Sequence, residues 1–423
     1  MSGDALSRVT DEPGRSPGAR RRLALRGHGP GRLGAAAVTL SLLATLVPTT
    51  LVLAAPAVWT PTFTLVPAAN DPTIDDLSGA GGNVAAAWTQ WSGGIQEVLI
   101  RESVNSGTTW LPAVRLANNL TMSADEISVT SDAASGKHYA VWLEAITGGH
   151  LRIFMATKTF GSGAWTAPSL VSDNTGTTDA WGPSIAVTPA YLFLTYRQTL
   201  ADGSNATARL RIFDRATASW GPSINLGTTK SSVSLAATST TVTLVWNSNA
   251  AFAVRLRRGA IGSGTSPVIS WSTTTLGNGG APFIVLAGTR GVVGWVQSGD
   301  VFITRTTTAG LTWWAPVRVL DGSASQPYGL MDAAMSGQSV VFTGQHTTAI
   351  SNIGSTGVGI RMTSSNGGAT WLTTQSYPYL GDNRQVAFTI RPSVGSTTIA
   401  EAWTQILSAM DAGPDKVAYD RGT

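Results

Sequence analysis

One strand pattern recurs along this chain at intervals of 47 to 61 residues, and it restricts the fold more than any other feature. The segment Val84 to Trp88 returns at Tyr139–Trp142, Leu192–Tyr196, Val242–Trp246, Val292–Trp295, Val340–Phe342 and Ile399–Trp403, so that an aromatic residue closes each copy. A unit of this size cannot bury its own apolar face, and repetition at a fixed period provides neighbours that can. Each copy carries the same parts. An alternating apolar strand comes first, as in Pro183–Val187 and Pro282–Leu286, and the aromatic strand follows. A third strand comes next, as in Val98–Arg101, Leu151–Phe154, Leu210–Phe213, Val254–Leu256, Val301–Thr304 and Val358–Arg361. After a turn, an edge strand is expected to begin at a Trp, namely Trp110, Trp165, Trp220, Trp271, Trp313 or Trp371. Several of these strands hold Pro just inside, which suits an outer edge because no neighbour needs the missing N–H. Radially arranged four-stranded blades satisfy the pattern, and seven copies predict an all-β, seven-bladed β-propeller.

The turn before the edge strand has a chemistry of its own. Ser103, Asn105, Gly107, Thr109 and Trp110 occupy fixed places in one octapeptide, and Ser364, Asn366, Gly368, Thr370 and Trp371 occupy the same places in another. Thr306, Thr308, Gly310, Thr312 and Trp313 form a third, with Thr replacing Ser and Asn. A short polar side chain at the third place can bond nearby backbone N–H groups, and Gly at the fifth accepts positive φ. The turn resembles the Asp-box (BNR) repeat of the sialidase-like β-propeller superfamily. Thr157–Trp165, Phe213–Trp220 and Ile261–Trp271 keep the Trp without the full octapeptide. The last copy ends at Thr423 without an edge strand, whereas Val58–Leu65 matches Ala164–Leu170 in its order of Trp and Pro. The N-terminal strand is therefore expected to complete the last blade. Six blades is the usual number in the sialidase-like group, so seven departs from that enzyme pattern.

The N-terminus reads as a targeting segment. Seven Arg precede an apolar run from Gly34 to Ala55 that ends in a small-x-small site, which makes 1–57 a secretory signal peptide, with an uncleaved signal anchor as the alternative. The expected location is outside a bacterium-like cell, with membrane attachment only through that anchor, and 58–423 is read as one propeller domain. The chain holds 28 Lys and Arg against 24 Asp and Glu, but residues 1–57 carry seven of the former and three of the latter. The remainder is formally neutral, so the basic balance belongs to the leader and no nucleic-acid partner is expected. With no Cys, and four His at no ligand spacing, neither a metal site nor a cofactor is expected.

In propellers of the resembled superfamily the octapeptide turns lie on the face away from the active site. Applied here, the other face carries Gln90, Glu144, Gln198, Gln297 and Gln405, each two residues after its aromatic, with Gln345 three after Phe342. They read either as strand-end caps or as a polar ring at a channel mouth suited to hydroxyl-rich ligands. The longer loops there are expected at Gln198–Ala208 and Gln345–Val358. Further ligand candidates are Arg152, Asp179, Arg197, Asp382 and Arg384, with Asp75, Asp76, Asp125 and Glu126 nearby, and the off-pattern aromatics Trp91, Trp181 and Tyr328. The resemblance implies that a sialidase would need three Arg for a substrate carboxylate, a Tyr–Glu nucleophile pair, an Asp acid/base and an early Arg-Ile-Pro. No early Arg-Ile-Pro is present; the Arg-Pro pair is Arg391–Pro392, in the last copy. Arg152, Arg197 and Arg384 could clamp a carboxylate only if their loops converge. No catalytic residue is assigned. The sequence favours a glycan- or surface-polymer-binding propeller without strong catalysis, with a sialidase-like exo-acting glycoside hydrolase and a protein-interaction scaffold as alternatives.

Overall fold

The structure is a computed structural model and describes residues 63–66, 70–248, 252–262, 268–323, 325–351, 354–375, 390–394, 399–405 and 416–422. The expected targeting segment and cleavage site lie outside them, as do Asp382 and Arg384.

The second strand of each repeat explains the architecture. Lys137–Ala145 is buried along nearly its whole length, and Thr241–Asn247 along all of it, which is the signature of a strand covered on both faces. The covering comes from neighbouring sheets. Trp142 packs with Ala85, Val98 and Ile100 of the preceding sheet, Tyr196 with Val141 and Ile153, and Trp295 with Val245 and Leu256. Each of these aromatics is thus a wedge driven into the blade before it, and each buried ring of this size contributes roughly 2–3 kcal/mol.

Six sheets are built from consecutive strands. The first comprises Asn70–Ala80, Asn83–Ser92, Ile95–Ser103 and Val114–Leu116, and the others follow within residues 124–170, 178–228, 234–278, 280–320 and 328–375. All described pairings are antiparallel, with the first strand of each sheet innermost. A further sheet joins the chain ends: Ile390–Val394, Ile399–Gln405 and Lys416–Gly422 are completed by Phe63–Val66, with Phe63 opposite Tyr419. The innermost strands touch in sequence, Asn70–Ala80 to Ala124–Asp132, Thr178–Val187, Ser234–Ala237, Gly280–Ala287, Tyr328–Ser336 and Ile390–Val394, and the last touches the first. The result is an all-β propeller of four-stranded blades.

Three expectations about the elements change. The fourth strands of the first, second and fifth blades begin at Val114, Ser169 and Val317, each about four residues after the Trp, because Pro112, Pro168 and Pro316 lie between and cannot donate to the ladder. Gln345–Val358 is mostly hairpin, not loop, since Ser339–Ser351 and Gly354–Ser364 pair as far as Ser351 and Gly354. In the sixth blade the bulge sets Asp332 opposite Thr343, so Gly344 takes the place that Trp holds elsewhere; Phe342 stacks on Phe283 at 5.3 Å.

Candidate functional site

Two ends of the ring differ in what they are made for. At one end the octapeptide turns are closed by their own side chains. Ser103 Oγ accepts from Gly107 N at 2.8 Å, Asn105 Oδ1 accepts from Thr109 N at 2.8 Å, and Asn105 Nδ2 donates to Thr109 Oγ1 at 2.9 Å. Ser364, Asn366, Gly368 and Thr370 repeat this set within 0.1 Å. Thr306 and Thr308 accept from Gly310 N and Thr312 N at 3.1 and 2.9 Å. Gly107, Gly310 and Gly368 sit at φ near 80°. Trp110, Trp313 and Trp371 pack beside these turns. With polar groups turned inward, this end is structural.

Along the ring axis the inner strands enclose a cavity of about 770 Å³, lined by Asp75–Gly79, Glu126–Thr130, Gly182–Ala186, Ser231–Ala236, Ala281–Leu286 and Asp332–Met335, with its acidic residues towards the end away from the octapeptide turns. The inner strands of the first, second, third, fifth and sixth blades have a register break towards that end: at Ile74/Asp76, Asp125/Ser128, Trp181/Ser184, Gly280/Phe283 and Gly329/Asp332. Such bulges re-aim side chains at barrel rims and sites. Three equivalent bulge residues, Glu126, Gly182 and Ala281, have φ of 49°, 56° and 46°. Gly182 is required, because a Cβ there would lie 2.0 Å from Ser232 Oγ. Glu126 takes the same backbone with a full side chain, a conformation that costs about 1–3 kcal/mol unless its surroundings hold it.

Those surroundings are specific. Glu126 Oε2 accepts from Gly182 N of the next blade at 2.6 Å, and the Asp125 carboxylate accepts from Glu126 N at 2.7 Å and from the Gln96 side chain. Gln96 pairs across the hairpin with Trp91, which is 46% exposed. Asp76 performs the same bridging one blade earlier, accepting from Ser128 Oγ and Val129 N at 2.9 and 2.8 Å. Burial pushes the Asp125 carboxyl above the usual carboxylate range, against the pull of its two donors. Burial raises Glu126 as well; the Gly182 N–H opposes this, the Asp125 charge adds to it, and the Arg197 charge opposes it. The site therefore couples two half-buried carboxyls, a guanidinium and an open aromatic face across three blades.

The sequence candidates divide around this centre. Glu144 is fully buried and accepts from Asn118 N, Asn119 N and Trp142 Nε1 at 2.7–2.9 Å, and Gln90 Oε1 accepts from Trp88 Nε1 at 3.0 Å. These two are caps for the repeat indoles, and the polar-ring reading is corrected for them: the channel is lined by the inner strands. Arg152 is buried and donates to the carbonyls of Leu151, Thr178 and Gly176, while Asp179 accepts from Leu151 N and lies 3.2 Å from His150 Nδ1. Neither is free to hold a ligand, so Arg152 cannot join a carboxylate clamp. Trp181 Nε1 donates to Thr199 Oγ1, and Trp181 pairs across the sheet with Arg197, whose Nε is buried without a bonded partner. Gln198 and Gln297 are half-buried at their strand ends and are not among the lining residues. Tyr328 stacks on His346 at 4.3 Å. Gln405 lies in a described strand of the composite sheet. Tyr196 donates to Asp173 at 2.6 Å, and burial raises its phenol. Gln96 and Asp332 were missed from sequence. Among the described residues no group of three or more acidic or imidazole side chains is arranged to hold a metal ion.

The fold is a β-propeller with its octapeptide turns at one end and the cavity acids towards the other, and it is similar to that of solved sialidase-type propellers. A phage phi92 endosialidase matches it with a TM-score of 0.50 and 11% identity, over 87% of this chain and 69% of that one. The polysaccharide lyase Uly1 aligns with a TM-score of 0.48 and 10% identity, over 84% and 90% of the two chains. The Trypanosoma rangeli sialidase in complex with the inhibitor DANA aligns with a TM-score of 0.44 and 10% identity, over 85% and 55%. No protein-family model and no curated protein sequence matches the chain.

Proposed function

We propose that this is a carbohydrate-binding propeller that holds a glycan or surface polymer at the open end of its cavity, over the first three blades. The observation that carries the reading is Glu126. A non-glycine residue is kept left-handed at a bulge, beside a second carboxyl that bonds Gln96, the cross-strand partner of the exposed Trp91. Backbone strain retained beside a cavity is a mark of function rather than of packing. Carboxylates accept from sugar hydroxyls, and an indole face covers the apolar C–H face of a pyranose. The endosialidase that shares the fold agrees with a glycan ligand. In this proposal the ring has seven blades, the composite one closed by the N-terminal strand. The protein acts outside the cell after export through its N-terminal segment, and touches the membrane only if that segment is retained.

One observation favours a second reading. Glu126 is an acid held above its usual range with Asp125 next to it, and an acid of this kind can protonate a glycosidic oxygen. A glycan array run beside a panel of fluorogenic glycosides, sialosides included, separates the two. Binding without turnover, reduced in Glu126→Gln and Trp91→Ala, is the expected result. Turnover abolished by Glu126→Gln would establish the hydrolase instead.

A further inference from the structure

Charge is sorted along the ring axis in the later blades. From residue 215 to 381 the acids are Asp300, Asp321 and Asp332. Asp300 opens a third strand opposite Gln297, Asp321 follows a fourth strand and Asp332 sits at a first-strand bulge, so all three stand towards the end away from the octapeptide turns. Three arginines of the fourth and fifth blades stand at the turn end instead. Arg258 Nε donates to Ala309 O in the fifth blade's turn at 2.8 Å. Arg290 closes a hairpin opposite Ala287, beside Gly367 of the sixth blade's turn, and the Arg305 guanidinium lies 3.6 Å from the centre of the Trp314 ring. Asp214, on the third blade, caps its own turn at Ala216 N. An anion approaching the fifth blade from this end meets guanidinium groups and no carboxylate of the same blade.

The same end exposes apolar side chains. The residue after the octapeptide Trp is Leu111, Trp314 or Leu372 in the three blades that keep the full turn, and these are 38%, 53% and 55% exposed. Leu311, inside the fifth blade's turn, is 69% exposed. Guanidinium groups beside an open indole and leucines suit the headgroup layer of a membrane, where the cations meet lipid phosphates and the apolar groups reach the acyl boundary. Chain direction supplies a separate argument. In the composite sheet Ile399 pairs with Gly422 at the turn end and Phe63 pairs with Tyr419, so the first described strand begins towards that end and runs away from it. The apolar run of the sequence ends at Ala55, eight residues before Phe63, and extended chain of that length reaches at most about 28 Å. A segment retained in a bilayer would therefore draw this end of the propeller to it.

We propose that, in chain whose N-terminal segment is retained, the turn end lies on an anionic lipid surface. Trp314, Leu311 and Leu372 enter the headgroup layer, and Arg258, Arg290 and Arg305 meet the lipid phosphates. The glycan site proposed above concerns the other end, and neither reading depends on the other. The absence of Cys makes the test direct, because one introduced thiol takes one label. A fluorophore is attached at Thr307→Cys, in the fifth blade's turn, or at Ser204→Cys, in the hairpin between Leu200 and Thr207 at the opposite end. Labelled full chain is incorporated from detergent into vesicles of phosphatidylcholine, alone or mixed with phosphatidylglycerol, that carry a nitroxide-labelled lipid as quencher. Quenching of the Thr307→Cys label is expected to be at least about threefold greater with phosphatidylglycerol and to fall as salt is raised, while the Ser204→Cys label stays unquenched. Arg290→Gln combined with Arg305→Gln should remove the gain, Arg290→Lys should keep it, and Trp314→Ala should lower quenching on both vesicles. Equal quenching of the Thr307→Cys label on the two lipids would overturn the charge assignment, and with it the proposal. Quenching of the Ser204→Cys label alone would put the other end on the membrane and overturn it too. Full chain that floats with neither vesicle would show no membrane contact and would also overturn it.

Discussion

A few side chains carry more of this structure than their size suggests. Asn105 accepts one turn N–H and Asn366 two, and each donates to a Thr hydroxyl four residues on. Replacing either by Ala leaves donors unpaired in a tight turn, and a loss of about 1–3 kcal/mol is expected in chemical denaturation. Asp at the same place keeps the acceptor and should lose less. His138 is one residue that ties stability to pH. It is fully buried between the first two blades, bonded to Ser131 Oγ at 2.8 Å and 3.4 Å from Glu102, which also holds Lys158 at 2.6 Å. Burial lowers its pKa to about 4, against the pull of Glu102. A histidine whose folded pKa lies below its unfolded value is neutral in the fold, so protonation favours the unfolded chain. Its contribution is therefore whole above pH 6.5 and fades as pH falls from there towards about 4. Thermal unfolding followed between pH 7 and 4 should show a falling melting temperature whose slope is shallower in His138→Asn.

At the level of the blade, the repeat was legible because its strongest signal is local. An aromatic on a strand covered on both faces recurs wherever a blade needs a wedge, and polar turn residues bond within eight positions. The site was less legible, because its parts lie in different repeats. Asp125 and Glu126 were visible as acids, but nothing in their spacing says that Glu126 reaches Gly182 of the next blade or that Gln96 joins Asp125 to Trp91. Glu144 misled for a related reason: its position suggested a channel mouth, whereas its carboxylate is taken up by Trp142 and by the backbone N–H groups of Asn118 and Asn119, 26 and 25 residues away. A regularity in the third strands also went unread. Arg101 donates from Nε to Leu111 O and from Nη1 to Leu65 O, and Arg211 does the same to Gly221 O and Val171 O, at 2.6–2.9 Å. Each arginine fastens its own edge to the blade before it. Arg211→Met keeps most of the apolar stem and abandons two carbonyls, and a destabilisation of about 1–3 kcal/mol is expected from urea unfolding.

On the scale of the whole molecule, the pairing of Phe63–Val66 with Lys416–Gly422 makes the chain ends part of one sheet, and Arg101 ties Leu65 to the first blade. Removing this strand would expose backbone groups of 416–422 and withdraw Leu65 and Val66 from the cluster around Ile74, Leu77 and Trp88. Protein beginning at Pro67 should therefore melt several degrees below protein beginning at Val58 and in a broader transition; identical melting curves would mean that the strand does not close the ring. The ring leaves one face devoted to its own turns and gathers the cavity's carboxylates towards the other, and that division is what the functional proposal rests on. The direct measurement is calorimetric titration of one glycan taken from the array into four proteins: wild type, Glu126→Gln, Trp91→Ala and, as the turn-face control, Asn366→Ala. Affinity lowered at least tenfold by the two open-face substitutions, and unchanged by the control in folded protein, is the expected result. Equal affinity in all four would place any glycan site elsewhere and contradict the assignment.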